Sequence, residues 1–346
     1  LDFINQQEGL QRSIRILHED SQSYLACDTE FIRQKTFYPE LCLMQFGTSN
    51  HCFLIDALAF EPSQMAALFF DHTKTFVFHS CKQDLEIIYH LYGRLPLFVF
   101  DTQIASAFLG LGESISYEGL VQHYLNTPLD KTQQYTDWKA RPLSEKQLAY
   151  AADDVIFLTK IYPLILKDLQ IRGYLEWALE DMIPLSKTST FEEIPLSRIH
   201  RLNISKKHYA HAKTLFEFRE IHAKRLNINR NQFFSDKAIE SLVKLQDPLE
   251  LESYAQTHLP LLVKQNLIEE LIHILLHTHL EDVPSPKKMT DSQQKELSFL
   301  QNKRDTLADE LHFPRSLLAT SSDLRQHILY QNGRIQETWR KKILEL

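Results

Sequence analysis

Short apolar runs alternate with segments of helical spacing over the first half of the chain, and helical spacing alone fills the second. Tyr24-Leu-Ala-Cys27 and the runs 41–47, 52–57, 75–79 and 97–100 have the length and the Phe, Leu, Ile and Val content of buried strands. Between them, 62–70, 83–92 and 102–109 carry apolar residues at helical spacing, and Leu143 to Ile171 reads as one long helix. Strands interleaved with helices predict one α/β domain. Near residue 183 the strand pattern stops: Ile183-Pro-Leu-Ser-Lys-Thr-Ser-Thr190 reads as a linker and everything after it as helices, with a second break at Pro284-Ser-Pro286. The expected division is therefore 1–190 α/β, with all-α domains over 191–285 and 286–346.

The helical part repeats at an offset of 85 residues. Arg219, Ala223, Leu226, Arg230 and Ile239 align with Arg304, Ala308, Leu311, Arg315 and Leu324, and the loop between the aligned apolar positions matches as well. A matched loop argues for two copies of one module, because apolar periodicity alone is common to any two helices.

Candidate chemistry gathers where predicted elements end. Asp28 and Glu30 follow the first strand, and if strand geometry persists their side chains project to one side. Asp84 follows the strand 75–78 and opens a helix; read alone it complements the positive end of that helix dipole. Tyr150 and Asp154 lie four apart on the long helix, so their side chains are about 40° apart on one face. That face continues into Phe157 and Ile161, while the opposite one carries Leu148, Ala152, Val155 and Thr159. A helix apolar on both sides is sandwiched, and a carboxylate inside it needs a partner such as a metal ion. Asp153 is the ligand instead if the register slips by one. Four acids and a tyrosine fit a two-metal phosphodiesterase site, where divalent ions roughly 3.5–4 Å apart stabilise the attacking and leaving oxygens. Hard ions such as Mg²⁺ or Mn²⁺ take carboxylate oxygens.

Beyond these five, Phe31 beside Glu30 is a candidate to stack on a terminal base, or a core aromatic. Gln45 at the end of its strand is a candidate for a sugar or phosphate, or a strand-edge hydrogen bond. His79 is a candidate for a phosphate or leaving group, or a packing residue. Asp101 directly precedes a helix and reads as its cap.

These residues carry a resemblance. Asp28-Thr-Glu-Phe-Ile-Arg-Gln-Lys-Thr-Phe-Tyr-Pro39, Asp101-Thr-Gln-Ile-Ala-Ser-Ala-Phe108 and Asp137-Trp-Lys-Ala-Arg-Pro-Leu-Ser-Glu-Lys-Gln-Leu-Ala-Tyr-Ala-Ala-Asp-Asp-Val155 resemble the ribonuclease D family of DEDD exonucleases, in the branch ending on Tyr-x-x-x-Asp. The resemblance implies a ribonuclease H-like mixed sheet flanked by helices, followed by helical HRDC domains. It implies that Asp28, Glu30, Asp84 and Asp154 bind two divalent ions and that Tyr150 orients the attacking water. The implied reaction is hydrolysis at RNA 3′ ends to nucleoside 5′-monophosphates, above all on the 3′ trailers of tRNA precursors. Leu215-Phe-Glu-Phe-Arg-Glu-Ile-His-Ala-Lys-Arg-Leu226 resembles an HRDC domain, which implies nucleic-acid binding. A DNA 3′→5′ exonuclease and a non-catalytic RNA-binding scaffold are the alternatives, and a scaffold would be marked by a lost acid or tyrosine.

Composition then alters the picture in two places. The net charge is −7, but residues 1–190 hold 15 Lys+Arg against 24 Asp+Glu, and 191–346 hold 23 against 21. The acid excess thus lies with the proposed metal site. Nine basic residues between Ile194 and Arg230, opposed by Glu217 and Glu220, are the candidate phosphate-tracking surface. The four cysteines show no Cys-x-x-Cys spacing and read as core residues in a reducing compartment. No apolar run approaches a membrane span, no basic-then-apolar leader occurs, and glycine-rich nucleotide loops are missing from the sequence. The expectation is a cytoplasmic protein without a nucleotide cofactor.

Overall fold

The computed structural model describes all residues except 193–198, 200, 201, 246, 279–288 and 337, and the side chain of 206. They form two compact units: Leu1–Ile32 with Leu41–Phe191 and Lys288–Leu346, and Arg33–Glu40 with Glu192–Lys287. The predicted break at Pro284-Ser-Pro286 lies outside the described residues.

A six-stranded mixed sheet organises the first unit. Its strands are β1 (Asp2–Ile4), β2 (Tyr24–Ile32), β3 (Glu40–Gly47), β4 (Cys52–Asp56), β5 (Thr75–Phe78) and β6 (Val99–Asp101), in the order β1-β4-β3-β2-β5-β6. β2 pairs parallel with β5, and β5 with β6, whereas β3 and β4 are antiparallel. Helices α1 (Gln7–Glu19), α2 (Pro62–Met65), α3 (Lys82–Tyr92), α4 (Thr102–Phe108), α5 (Tyr117–Leu125), α6 (Glu145–Arg172) and α7 (Leu175–Met182) complete this part.

Strand alternation divides the core in two. Leu25, Cys27, Phe46, Phe76 and Phe78 pack with Leu10 and Leu17 of α1 and Leu85 and Ile88 of α3. Ala26, Leu43, Val77 and Phe100 pack on the other side with Phe108 of α4 and Val155, Leu158 and Ile165 of α6. The expected sandwiching of α6 holds: Ala152, Val155, Thr159 and Ile161 are buried, and Leu148 and Phe157 are half-buried. α6 starts at a capping box between Ser144 and Gln147 and ends on Gly173 in the left-handed conformation, φ 72°. All four cysteines are buried and free.

The segment after 288 folds as helices Asp291–Leu311, Arg315–Leu318, Ser321–Tyr330 and Trp339–Ile343, and it packs on α4 and α7. Phe108 meets Phe313 and Trp339 at ring distances of 5.6 and 5.5 Å, and Trp177 stacks on Trp339 at 4.8 Å. Asp181 of α7 accepts from Trp339 Nε1 at 3.1 Å and from Arg340 Nη1 at 2.6 Å.

In the second unit, helices Tyr209–Leu226, Arg230–Phe233, Asp236–Leu242 and Pro248–His258 enclose a core including Leu215, Phe216, Phe233, Ile239 and Leu251. The 85-residue repeat is physical. Arg219 Nη1 donates to the Phe234 carbonyl and Arg304 Nη1 to the Ala319 carbonyl, each at 3.2 Å. The preceding helices end on Asn227 and His312, both left-handed at φ 47° and 55°. Ser235 and Thr320 each cap the next helix by accepting from Ala238 N and Asp323 N.

That geometry corrects the reading of the basic stretch. Arg219 is fully buried and holds Asp236 at 2.7 Å, while Arg230 pairs with buried Glu220. Arg219 is thereby withdrawn from any phosphate, and Arg230 is committed to a carboxylate of the fold. Arg198, Arg201 and the side chain of Lys206 lie outside the described residues.

Candidate metal-binding cleft

Because β2, β5 and β6 run parallel, the segments that follow them emerge at one edge of the sheet, where open α/β sheets bind ligands. β2 does not stop at Asp28 as the apolar run suggested but continues to Ile32, so Asp28 and Glu30 share the face that Ala26 turns toward α6. α6 brings Asp154 to the same point. Carboxylate oxygens of Asp28, Glu30 and Asp154 lie within 4.8 Å of one another. Asp154 Oδ2 is buried without a hydrogen-bond partner. Among the described residues no lysine or arginine pairs with any of the three. Asp153, the alternative ligand, is outside this cluster.

Asp84, in the first turn of α3, lines the same cleft of about 510 Å³, as do Tyr150, Phe31 and His79. Its carboxylate accepts from the Thr29 hydroxyl. Asp101 caps α4 as expected, accepting from Gln103 N at 2.8 Å, and also accepts from Ser80 N and Cys81 N at 3.0 and 2.9 Å. It thereby holds the turn from which α3 presents Asp84.

Electrostatics follow from the crowding. Burial, then the neighbouring carboxylates led by Asp154, push Asp28 well above the usual range. Burial, then Asp154 and Asp84, push Glu30 up to about 9. Burial, then Asp153 and Asp84, raise Asp154. Asp84 rises only to about 7: burial lifts it, and the hydrogen bond from Thr29 draws it back. Tyr150 is raised by burial and then by Asp154, Glu30 and Asp28, so its hydroxyl keeps its proton at neutral pH.

Two expected substrate contacts look different in place. Gln45 is fully buried and does not line the cleft, because β3 runs on to Gly47 and Gln45 is interior to the strand. His79 lines the cleft, but Nδ1 is 2.9 Å from Thr102 Oγ1 and Nε2 is 3.1 Å from the Ile115 carbonyl. Both ring nitrogens are engaged, and burial lowers the imidazole pKa.

The sequence reading missed Tyr117, whose hydroxyl donates to the Asp154 carbonyl at 2.6 Å, and Thr29. It also missed Trp138, whose buried ring lies 6.0 Å from that of Tyr150. Only Trp138 had a visible signal, in the Asp-Trp pair before the long helix.

The donors suit a hard divalent cation: oxygens only, convergent, anionic, and one of them unpartnered. Such a cleft at this edge of a mixed sheet, with residues 1–170 matching the family model of a 3′-5′ exonuclease, defines the class as a 3′-5′ exonuclease domain followed by helical modules. The protein described as Ribonuclease D from Bartonella henselae is 30% identical over 340 residues, 94% of this chain and 83% of that one. The chain belongs to the ribonuclease D family. Ribonuclease D from Gluconacetobacter diazotrophicus is 35% identical over 223 residues, covering 63% of this chain. The chain spans 57% of that relative's length. The crystal structure of Escherichia coli RNase D shares the fold, with TM-score 0.84 and 24% identity over 99% of this chain and 96% of that one. Among the described residues no helix is long and apolar enough to cross a membrane.

Proposed function

We propose that this chain is a 3′→5′ exoribonuclease that hydrolyses the last phosphodiester of an RNA, releasing nucleoside 5′-monophosphates, with tRNA precursors bearing 3′ trailers as substrates. The observation that carries this reading is the convergence of Asp28, Glu30 and Asp154 within 4.8 Å at the mouth of a cleft that Tyr150 and Asp84 also line. Asp28, Glu30, Asp84 and Asp154 would hold two divalent ions, Mg²⁺ or Mn²⁺, which when bound supply positive charge at the attacking and leaving oxygens.

The chain's own groups do the rest. Asp154 Oδ2 has no competing partner and is available to ligate. Thr29 fixes the rotamer of Asp84, and Tyr117 ties the main chain at Asp154. Tyr150, protonated at neutral pH, orients the attacking water by hydrogen bonding and does not serve as base. Phe31, half-buried and lining the cleft, would meet the terminal base. Four free, buried cysteines accord with a reducing cytoplasm.

The test offers the protein a 5′-labelled tRNA precursor and a matched single-stranded DNA with Mg²⁺, Mn²⁺ or chelator, beside Asp28→Ala. RNA shortening from its 3′ end, metal-dependent and lost in the variant, is expected. Preferential DNA shortening would move the activity to DNA, and no cleavage of either would leave a binding scaffold.

A further inference from the structure

The cleft has an unusual inventory for a site that receives a polyanion. It is lined by Asp28, Glu30, Asp84 and Asp154, and among the described lining residues there is no lysine or arginine. The ions those carboxylates would hold serve the phosphate that is cut, and beyond them the described lining offers the strand no side-chain cation. For the unpaired bases of the strand end a source of affinity independent of charge is stacking on aromatic rings.

Four aromatics line the cleft, and their exposure separates them. Tyr117 spends its hydroxyl on the Asp154 carbonyl. Tyr150 is half-buried against Trp138, and Phe31 is half-buried in β2. Tyr135 is 92% exposed. A single exposed aromatic needs no explanation on an open surface. This one stands in the wall of the cleft, beside the carboxylates, with its ring faces open to solvent.

The loop that carries it is held in place. Gln147, buried in the first turn of α6, donates from Nε2 to Thr136 Oγ1 at 3.2 Å and to the Asp137 carbonyl at 3.3 Å. Thr136 Oγ1 donates to the Gln133 carbonyl at 2.8 Å, and Gln134 N to the Lys131 carbonyl at 3.2 Å. On the far side, Arg141 donates from Nη1 to the Trp138 carbonyl at 2.7 Å and from Nε to Asp56 at 2.8 Å. Residues 133–138 are thus tied to a helix start and to the end of β4. A ring on a tethered loop loses little freedom when a base settles on it.

We infer that Tyr135 is a positioning residue that stacks on a base of the RNA 3′ end, adding charge-independent affinity in a cleft whose described lining has no lysine or arginine. The inference rests on the exoribonuclease reading. It requires the ring and not the hydroxyl, and it is tolerant of base identity, since every base presents a π face. Tyr135 touches no reacting atom, so its contribution belongs to KM.

The experiment compares wild type, Tyr135→Ala and Tyr135→Phe on oligoadenylate RNA and on the same oligonucleotide with one abasic ribose placed in turn at each of the four 3′-terminal positions. Tyr135→Ala is expected to raise KM by about 5- to 100-fold, the range for loss of one base–aromatic stack. Its kcat should stay within about twofold, and its melting temperature should not move, as for other exposed side chains. Tyr135→Phe should match wild type. Because no phosphate contact is lost, the slope of log KM against log salt should be the same for wild type and Tyr135→Ala; losing one phosphate contact would shift it by about 0.7. In wild type one abasic position should reproduce the KM increase, and in Tyr135→Ala that same position should cost nothing further. Unchanged KM in Tyr135→Ala, a Tyr135→Phe variant as poor as Tyr135→Ala, or additive effects of the abasic site and the substitution would each overturn the inference and leave the nuclease reading standing. A wild-type protein that shortens no RNA would overturn both.

Discussion

Trp339→Ala asks whether the last helical module is part of the nuclease body or an appendage. Trp339 is 6% exposed, stacked on Trp177 with rings 4.8 Å apart and 8° from parallel. Its Nε1 donates to Asp181 and its main-chain N to Glu180 at 3.1 Å. Removing a buried tryptophan from such packing costs about 3–5 kcal/mol. Asp181→Ala attacks the same contact from the other side. It strands the guanidinium of Arg340, fully buried and bonded to Asp181 from both Nη atoms at 2.6 and 2.5 Å, and breaking a buried pair from one side costs about 3–5 kcal/mol as well. The two residues touch, so the double variant should lose clearly less than the sum. The assay is urea unfolding followed by circular dichroism, with RNA trimming measured along the same titration. A shared body predicts that trimming activity and the structure of the last helical module are lost together, at a lower urea midpoint that corresponds to several kcal/mol of lost stability in each variant. If the midpoint shift of trimming in Trp339→Ala corresponds to less than about 1 kcal/mol, the packing argument is wrong.

Three further outcomes follow from the cleft. Asp154→Asn should lower trimming by more than about 100-fold, the upper end of what losing even an outer partner of a metal ligand costs, yet raise the chelated protein's melting temperature by removing a buried carboxyl whose raised pKa costs stability at neutral pH. Thr29→Val should weaken Mn²⁺ binding by about 10- to 100-fold, read by calorimetry, since Asp84 loses the donor that orients it. Glu30 titrates near 9 in the fold against an ordinary 4.5, so the native state binds the extra proton and metal-free stability must fall as pH rises from about 5 toward 9. The slope is about 1.4 kcal/mol per pH unit for each such group. Metal binding at pH 7 should accordingly release protons, visible as a buffer-dependent heat, and a flat or rising metal-free stability curve would contradict the cause given for the shift.

Much of this was legible in the residues because the site rests on strong periodicities. The apolar run before Asp28 and the two-sided helix around Tyr150 point to Asp28, Glu30 and the Asp153–Asp154 pair, and the family resemblance selects Asp154. What escaped depends on contacts distant in sequence. β1 has three residues and exists through its pairing with β4. α5 was passed over, and with it Tyr117, whose bond to Asp154 spans 37 positions. Gln45 was misplaced because a continuous apolar run like β3 does not reveal where the strand ends or which face meets a helix. Arg219 and Arg230 were counted with the surface because composition weighs charge without burial or pairing: Arg219 is buried and Arg230 is paired with Glu220.

The treatment of acids elsewhere in the fold gives the cleft its meaning. Asp56 is buried and met by Arg141 through Nε and Nη2. Asp101 is buried and accepts from four main-chain N–H groups. Asp181 is held by Arg340, Arg334 and the Trp339 ring. Each buried charge is met where it stands, as the cost of leaving one unmet requires. Asp28, Glu30 and Asp154 instead converge at one point, at the edge of the sheet where the parallel strands end, and Asp154 Oδ2 has no partner there. That contrast supports the proposal that a cation completes the three convergent acids, since local rules broken at one place are expected at functional sites. The same reasoning separates Asp153 from Asp154 without reference to any relative: Asp153 lies outside the convergent group, while Asp154 holds an oxygen buried and unpartnered within it.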